Sequence, residues 1–451
     1  MLRRVFLSLA LCLAWSAAAP AAEAESISGT LPDGTRWEIS RPANWNGTII
    51  VDLDGASLAG ARGPSPRVDP YREWLLAQGF ATGGTQREPV GYDFLQAVDN
   101  LMAVRQHFID QWGTPKRTLV SGTSRGGFVT RLAMERRPEI FAGALIMAGG
   151  GGGQIAGQRD KLNAVFALKT LVDPAAPLKL VNIDNVQAET AALNELVKKA
   201  ASTPYGRARL ALASSFEQFA LWTDRNQPKP GPTDYEAQLD QIAANFAFAN
   251  PASVRAGVEK VAGGNVSWNT DVDYADLLRR SGRTAMVEAA YRKVGLDLKA
   301  DLATLAKAPR IKADPAAVAR EEPLGSYTGK IKGPVVNVDN DDPVDAAPYK
   351  LAYLATLKKA GTDHLFRMLW TDTAGHASMP AVDKAVGFKL LIRYLDTGKW
   401  GDTSLAATRA MAAELMREVP GFGESRLFDP GPIPPPLFTW DGSNWGTYAG
   451  K

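Results

Sequence analysis

The chain has 451 residues, of which 45% are hydrophobic and 22% charged, proportions of an ordinary folded globular protein. Its net charge of +3 is too small to point to a nucleic-acid partner. Only three histidines are present, so any histidine base must be one of three.

Met1-Leu2-Arg3-Arg4 is followed by an apolar run to about Trp15 and by small residues from Ser16 to Ala22. This basic, apolar, small-residue order predicts a secretory signal peptide over 1–22 and a periplasmic or secreted mature chain. Its apolar core is too short for a permanent membrane span, and no later stretch is apolar for long enough, so no stable membrane insertion is expected. Cys12, the one cysteine, lies inside this segment, which leaves the mature chain without thiol or disulfide.

Ser26 to Ile39 alternates around Asp33-Gly34 and predicts a hairpin. Thr48 to Leu53 is a β-branched run that reads as a buried strand ending at Asp54-Gly55. A short helix over Tyr71–Ala77, a strand from Phe80 and a helix over Asp93–Trp112 follow. Leu119-Val120 reads as a strand, Gly122 to Gly126 as a turn, the segment to Arg136 as a helix, and Ala142–Ala148 as a strand. Strand alternating with helix in units of this size predicts an α/β fold with a mostly parallel sheet covered on both faces.

Gly149 to Gly153 are five consecutive glycines without the lysine of a P-loop or dinucleotide spacing, and they read as a flexible exit from the sheet. Residues 151–330 then carry helical periodicity alone, over Val186–Ala201, Ala208–Leu221, Tyr235–Phe248 and Tyr274–Val294. Sheet rhythm resumes with a strand over Pro334–Val338, a helix over Pro348–Ala360, a strand over His364–Trp370 and a helix over Ala381–Leu395. The expected organisation is a sheet core over 26–150 and 331–419, a helical insertion over 151–330, and a Pro-rich tail over 420–451 lying on the core.

The chemistry centres on Gly122-Thr123-Ser124-Arg125-Gly126, a G-x-S-x-G pentapeptide between a strand and a helix. A serine hydroxyl is a poor nucleophile unless held exposed and handed to a base, and a sharp strand-to-helix turn serves both needs. The competing reading is a helix cap. His376, in the loop after the His364–Trp370 strand, is the base candidate, because reactive groups of open α/β sheets collect at the carboxyl ends of parallel strands. His107 sits on a helix edge and His364 at the wrong end of its strand. The orienting acid belongs in the loop after Val338, where Asp339, Asp341, Asp342 and Asp345 cluster. Asp342 is favoured because Pro343 would fix its carboxylate, with Asp341 and Asp345 as alternatives. Such a cluster could also hold a hard cation, but the chemistry read here calls for no metal and no organic cofactor. An oxyanion hole is expected from the backbone amides of Arg125 and Ala56. The Arg125 side chain would either steer an anionic substrate or pair with a nearby acid. Trp268 and Tyr274, in the densest polar-aromatic cluster of the insertion, are candidates for lining a substrate pocket or for packing its core. Phe216, Phe219, Trp222, Phe246 and Phe248 read as core of the insertion.

In this order, Ser124, Asp342, His376, the chain resembles the α/β-hydrolase fold family. Ser124-Arg-Gly-Gly127, Asp342-Pro-Val344 and Ala374-Gly-His376 are similar to motifs of secreted bacterial serine esterases and related hydrolases. The resemblance covers about 27–150 and 331–400. It implies that the insertion is a lid over the active site and that the substrate is a small-molecule carboxylic ester. A peptidase or amidase with the same triad, or a binding protein that kept the fold, is the alternative. Asp54-Gly55 stands where many relatives have His-Gly, which puts the second oxyanion donor in doubt.

Overall fold

A computed structural model describes residues 24–54 and 70–438. The leader expected over 1–22, the Ala56 amide, and Trp440 and Trp445 lie outside the described residues. The described residues open with the hairpin β1 (Glu25–Thr30) and β2 (Arg36–Arg41). Gly34 takes a φ of 87° at its tip, and Asp33 closes the turn by accepting from the Thr35 amide at 2.9 Å.

There follow β3 (Thr48–Asp52), α1 (Pro70–Ala77), β4 (Ala81–Thr85), α2 (Phe94–Trp112), β5 (Arg117–Thr123), α3 (Arg125–Arg136) and β6 (Phe141–Met147). Nine helices come next: α4 (Gly153–Val172), α5 (Val186–Ala201), α6 (Pro204–Ser215), α7 (Tyr235–Ala249), α8 (Ala252–Ala262), α9 (Tyr274–Arg280), α10 (Thr284–Val294), α11 (Leu298–Lys307) and α12 (Pro315–Gly325). The sheet resumes with β7 (Val335–Asp339), α13 (Ala347–Ala360), β8 (Phe366–Thr371), α14 (Ala381–Thr397), α15 (Leu405–Glu418) and β9 (Leu427–Phe428).

The strands form one nine-stranded sheet in the order β1-β2-β4-β3-β5-β6-β7-β8-β9. Every pair from β4 through β8 is parallel, and the antiparallel pairings are confined to the two flanks. Alternation along the central strands sorts their side chains to two faces. Ile49, Val51, Val120 and Val335 pack under α2, α3 and α13, whereas Ile50, Leu119, Val336 and Val338 pack under α1, α14 and α15. Both faces are therefore covered, as a parallel sheet requires. The insertion has a core of its own, built around Phe216, Phe219, Phe246, Leu212 and Tyr291.

Four features differ from the expectation. The five glycines are a buried, close-packed crossing and not a flexible exit. A Cβ at Gly150 would collide with the Phe128 and Tyr349 rings, and one at Gly151 with the Lys350 carbonyl. Glycine is needed there for close approach, not for freedom. The helix expected over Tyr274–Val294 is two, α9 and α10, separated at Gly282 (φ 74°). The helix expected from Ala208 begins earlier, because Thr203 accepts from the Gly206 amide at 3.0 Å and Pro204 opens the first turn. The tail does more than lie on the core: after β9 it crosses to the insertion, where Leu437 is buried.

Candidate active site

Ser124 sits where β5 ends and α3 begins, with φ 57° and ψ −118°, a strained backbone for a residue with a side chain. Neighbouring glycines make this possible. A Cβ at Gly122 would collide with the Gly126 carbonyl, and one at Gly127 would press on Gly149. The Ser124 hydroxyl makes no capping bond to α3, which removes the helix-cap reading. It lies instead 2.8 Å from His376 Nε2.

His376 occupies the loop after β8, between Gly375 (φ 92°) and Ala377 (φ 54°). Asn340, at the end of β7, donates to the carbonyls of Thr373 (3.1 Å) and Gly375 (2.9 Å) and so ties the two loops together. His376 Nδ1 lies 2.9 and 2.8 Å from the two carboxylate oxygens of Asp342. A carboxylate can only accept, so Nδ1 carries the proton and Nε2 is left to accept from the Ser124 hydroxyl. Asp342 is fully buried and also accepts from the amides of Val344 (2.8 Å) and Ala377 (2.9 Å).

The electrostatics favour this state. Burial alone would lift the Asp342 carboxyl, but the Lys350 ammonium and the His376 hydrogen bond and charge hold it below its ordinary value. Burial alone would lower the His376 imidazole, yet the hydrogen bond and charge of Asp342 outweigh it and raise the imidazole. Lys350 is itself buried, paired with Asp339 and donating to the Asn340 carbonyl at 2.7 Å.

The other candidate acids have different partners. Asp339 serves Lys350, and Asp341 accepts from the Ala347 amide at 2.9 Å at the start of α13. Asp345 is buried on the cavity wall, and burial raises its carboxyl. Among the histidines, His107 stacks on Trp37 with ring centroids 4.3 Å apart, and His364 lies before β8, at the strand end away from His376. The Arg125 amide is the first of α3 and cannot bond within that helix. Asp52, at the end of β3, accepts from Ser121 Oγ at 2.8 Å, and burial together with the charge of Asp54 lifts its carboxyl to about 6.

Ser124 and His376 open into a cavity of about 570 Å³ between the carboxyl edge of the sheet and helices α4, α5, α7 and α8. Trp268 and Tyr274 do not line it. Trp268 is 1% exposed, packed with Ile155 and Val258, and its ring covers the Arg159 guanidinium at 4.2 Å. Tyr274 donates to Asn163 Oδ1 at 2.9 Å inside the insertion core. Their polar neighbours satisfy a buried network, which a polar-aromatic cluster cannot be told from by composition. Phe248 is the opposite case: 55% exposed and on the cavity wall, unlike the buried Phe216, Phe219 and Phe246. Tyr92, Phe128, Gln154, Lys161 and Tyr349 also line the cavity and were not singled out from sequence. They come from four places in the chain, the loop before α2, α3, α4 (Gln154 and Lys161) and α13, and no local pattern unites them.

A parallel sheet in this order, a serine on a strained turn after β5, and the chain order Ser124, Asp342, His376 define the fold of an α/β hydrolase. No family model matches the chain. It is 29% identical over 416 residues to an o-phthalyl amidase of Xanthobacter agilis, covering 85% of this chain and 90% of that one. Solved structures similar to the chain include feruloyl esterase B from Aspergillus oryzae, with 13% identity, TM-score 0.40, and coverage of 83% of this chain and 80% of that one. A carboxyl esterase from Bacillus coagulans matches at 14% identity and TM-score 0.37, over 83% and 97% of the two chains. A candidate dipeptidyl aminopeptidase IV from Bacteroides ovatus matches at 10% identity and TM-score 0.37, over 83% of this chain and 35% of that one, so this chain spans about a third of its length.

Proposed function

We propose that this protein is an exported serine hydrolase that cleaves a carboxylic acyl bond through Ser124, His376 and Asp342. The observation that carries the reading is the relay itself, Ser124 Oγ 2.8 Å from His376 Nε2 with His376 Nδ1 on Asp342. Ser124 Oγ attacks the substrate carbonyl while its proton passes to His376 Nε2. The tetrahedral oxyanion is held by the Arg125 amide and by a second amide of the loop after β3, for which Ala56 remains our candidate. His376 then gives the proton to the leaving oxygen or nitrogen as its bond to the carbonyl carbon breaks. Water, deprotonated by the same imidazole, releases the acid from Ser124. In this reading α4, α5, α7 and α8 act as a lid that roofs the cavity.

The sequence motifs point to carboxylic esters. A second reading, an amide, is supported by the o-phthalyl amidase relative, which matches most of both chains. The leader over 1–22 supports export, with cleavage near Ala22.

A fluorophosphonate probe tests the relay. Labelling should be lost in Ser124→Ala and strongly reduced in His376→Ala; labelling that survives the serine replacement, or never occurs, would sink the proposal. Matched 4-nitrophenyl esters and 4-nitroanilides of one acid, compared as kcat/KM, choose the bond. An anilide turned over as well as its ester would give the amide reading.

A further inference from the structure

The cavity beside Ser124 is charged in one direction. Its cationic lining residues are Arg87, Arg125 and Lys161, whereas Asp345 is the one carboxylate on its wall among the described residues. Two of the three permanent cations are already engaged. Arg87 grips Asp54 through Nε (2.8 Å) and Nη2. Lys161 donates to the carbonyls of Ala249 (2.5 Å) and Val344 (2.9 Å).

Arg125 is placed differently. Its guanidinium lies over the Tyr92 ring, 4.1 Å from the centroid, and donates to the Gly91 carbonyl (3.1 Å) and the Tyr92 hydroxyl (3.2 Å). Both acceptors are neutral, as those of Lys161 are, but these bonds use two of the five N–H donors of a guanidinium, whereas Lys161 has spent two of the three of its ammonium. The nearest carboxylate, Glu88, stands 3.9 Å away on a side chain that is 74% exposed, so solvent and salt screen it. A guanidinium on a side chain that is 16% exposed, seated on an aromatic face and short of a tight anionic partner, is preorganised to receive one. It also lines the same cavity as Ser124 and His376, so an anion it binds shares that cavity with the bond to be cut. Phe94, Phe128 and Tyr349 supply an apolar, aromatic wall to the same cavity.

We propose that the Arg125 side chain, backed by Tyr92, is a carboxylate-binding subsite, and that the substrate's acyl group carries a second, ionised carboxyl near the bond that is cut. The inference rests on the serine-hydrolase reading for its location and assigns the substrate class within it: monoesters or monoamides of dicarboxylic acids. The Arg125 backbone amide serves the oxyanion; the side chain selects the substrate.

The test compares 4-nitrophenyl monoesters of adipic and isophthalic acid with the same esters whose second carboxyl is capped as a methyl ester. The wild-type protein should prefer the free acids in kcat/KM. Arg125→Gln should cut that preference about 10-fold to 100-fold, the loss of one charged hydrogen-bonded contact. Arg125→Lys, which keeps the charge but not the planar fork, should restore part of it, and raised salt should weaken the wild-type preference. A wild-type preference for the capped esters, or a ratio unchanged in Arg125→Gln, overturns the subsite. Calorimetric titration of Ser124→Ala with isophthalate gives a readout that needs no turnover. Affinity should fall by a similar factor when Arg125→Gln is added, and equal affinity overturns the subsite too. Failure of fluorophosphonate labelling, by contrast, overturns the hydrolase reading and leaves the subsite to the titration.

Discussion

At the scale of single residues, what distinguishes Asp342 from its neighbours is not its own chemistry but where the backbone sends its carboxylate. Asp339, Asp341 and Asp345 differ from it only in partner: an ammonium, a helix amide and a buried wall. Asp342→Asn should therefore lower kcat by about 10³-fold to 10⁴-fold, because an amide can donate to Nδ1 and hold the wrong tautomer. Asp341→Asn should have a far smaller effect. The pH profile checks the same point independently. His376 must be neutral to accept the serine proton, and its imidazole is raised: burial opposes the charged form, but Asp342 and, less strongly, Asp345 favour it, against Lys350. Activity should accordingly fall as pH drops through a value above the ordinary histidine pKa of about 6.5. In Asp342→Asn the main charge that raises the imidazole is gone, so the acid limb of the residual kcat/KM should move to lower pH. A limb that stays in place would show that another acid orients His376. Ser124 and His376 were legible because the motif and the scarcity of histidine narrow each to one position. The acid was legible only as a loop, since four aspartates within seven residues differ by tertiary partner alone.

At the scale of elements, periodicity revealed what local burial dictates and missed what distant packing dictates. The strands β3, β5, β6 and β7 and the helices α2 and α14 announce themselves through apolar spacing, because each is sandwiched against the sheet. The five-glycine segment carries no such signal, and its composition suggests mobility. Its actual constraint comes from α3 and α13, which close on it from either side: Gly149 against Gly127, Gly151 against the Lys350 backbone. That contact links the crossing to the site, since Lys350 also holds Asp339 and the Asn340 carbonyl beneath the Asp342 loop. Gly151→Ala should thus do two things at once. Forcing a methyl group against the Lys350 carbonyl should destabilise the fold by about 1–3 kcal/mol, read from denaturant unfolding. It should also reduce kcat through displacement of α13, although residue 151 touches no reacting atom. Were the segment a loose linker, the substitution would stabilise or be silent.

At the scale of the whole molecule, the sheet with its two covered faces and the insertion with a core of its own meet across a cavity, and the C-terminal segment ties them together again. β9 pairs with β8 at the sheet edge, fixing one end of the segment to the core that carries His376. Beyond β9, from Pro435 to Phe438, the chain is held by the insertion: Gln218 donates to the Pro435 carbonyl at 3.0 Å, Arg280 to the Leu437 carbonyl at 3.3 Å, and Phe438 covers the Arg159 guanidinium at 4.4 Å. Proline and glycine made this stretch look like surface decoration, because an extended segment has no period by which its destination could be read. Leu437, 6% exposed in the insertion core, is its apolar anchor. Truncating it to alanine should destabilise by about 2–3 kcal/mol, transfer and cavity terms combined. The loss should be uneven, because segments of a fold open with different free energies. Amide exchange should quicken in the insertion, α9 above all, whose Arg280 holds the Leu437 carbonyl, while β5 and β7 stay protected. KM should rise more than kcat falls, since the cavity is roofed by the insertion but the relay is built on the sheet. If exchange instead quickens equally in β5 and β7, sheet and insertion open as one unit, and the segment holds nothing that the shared core does not.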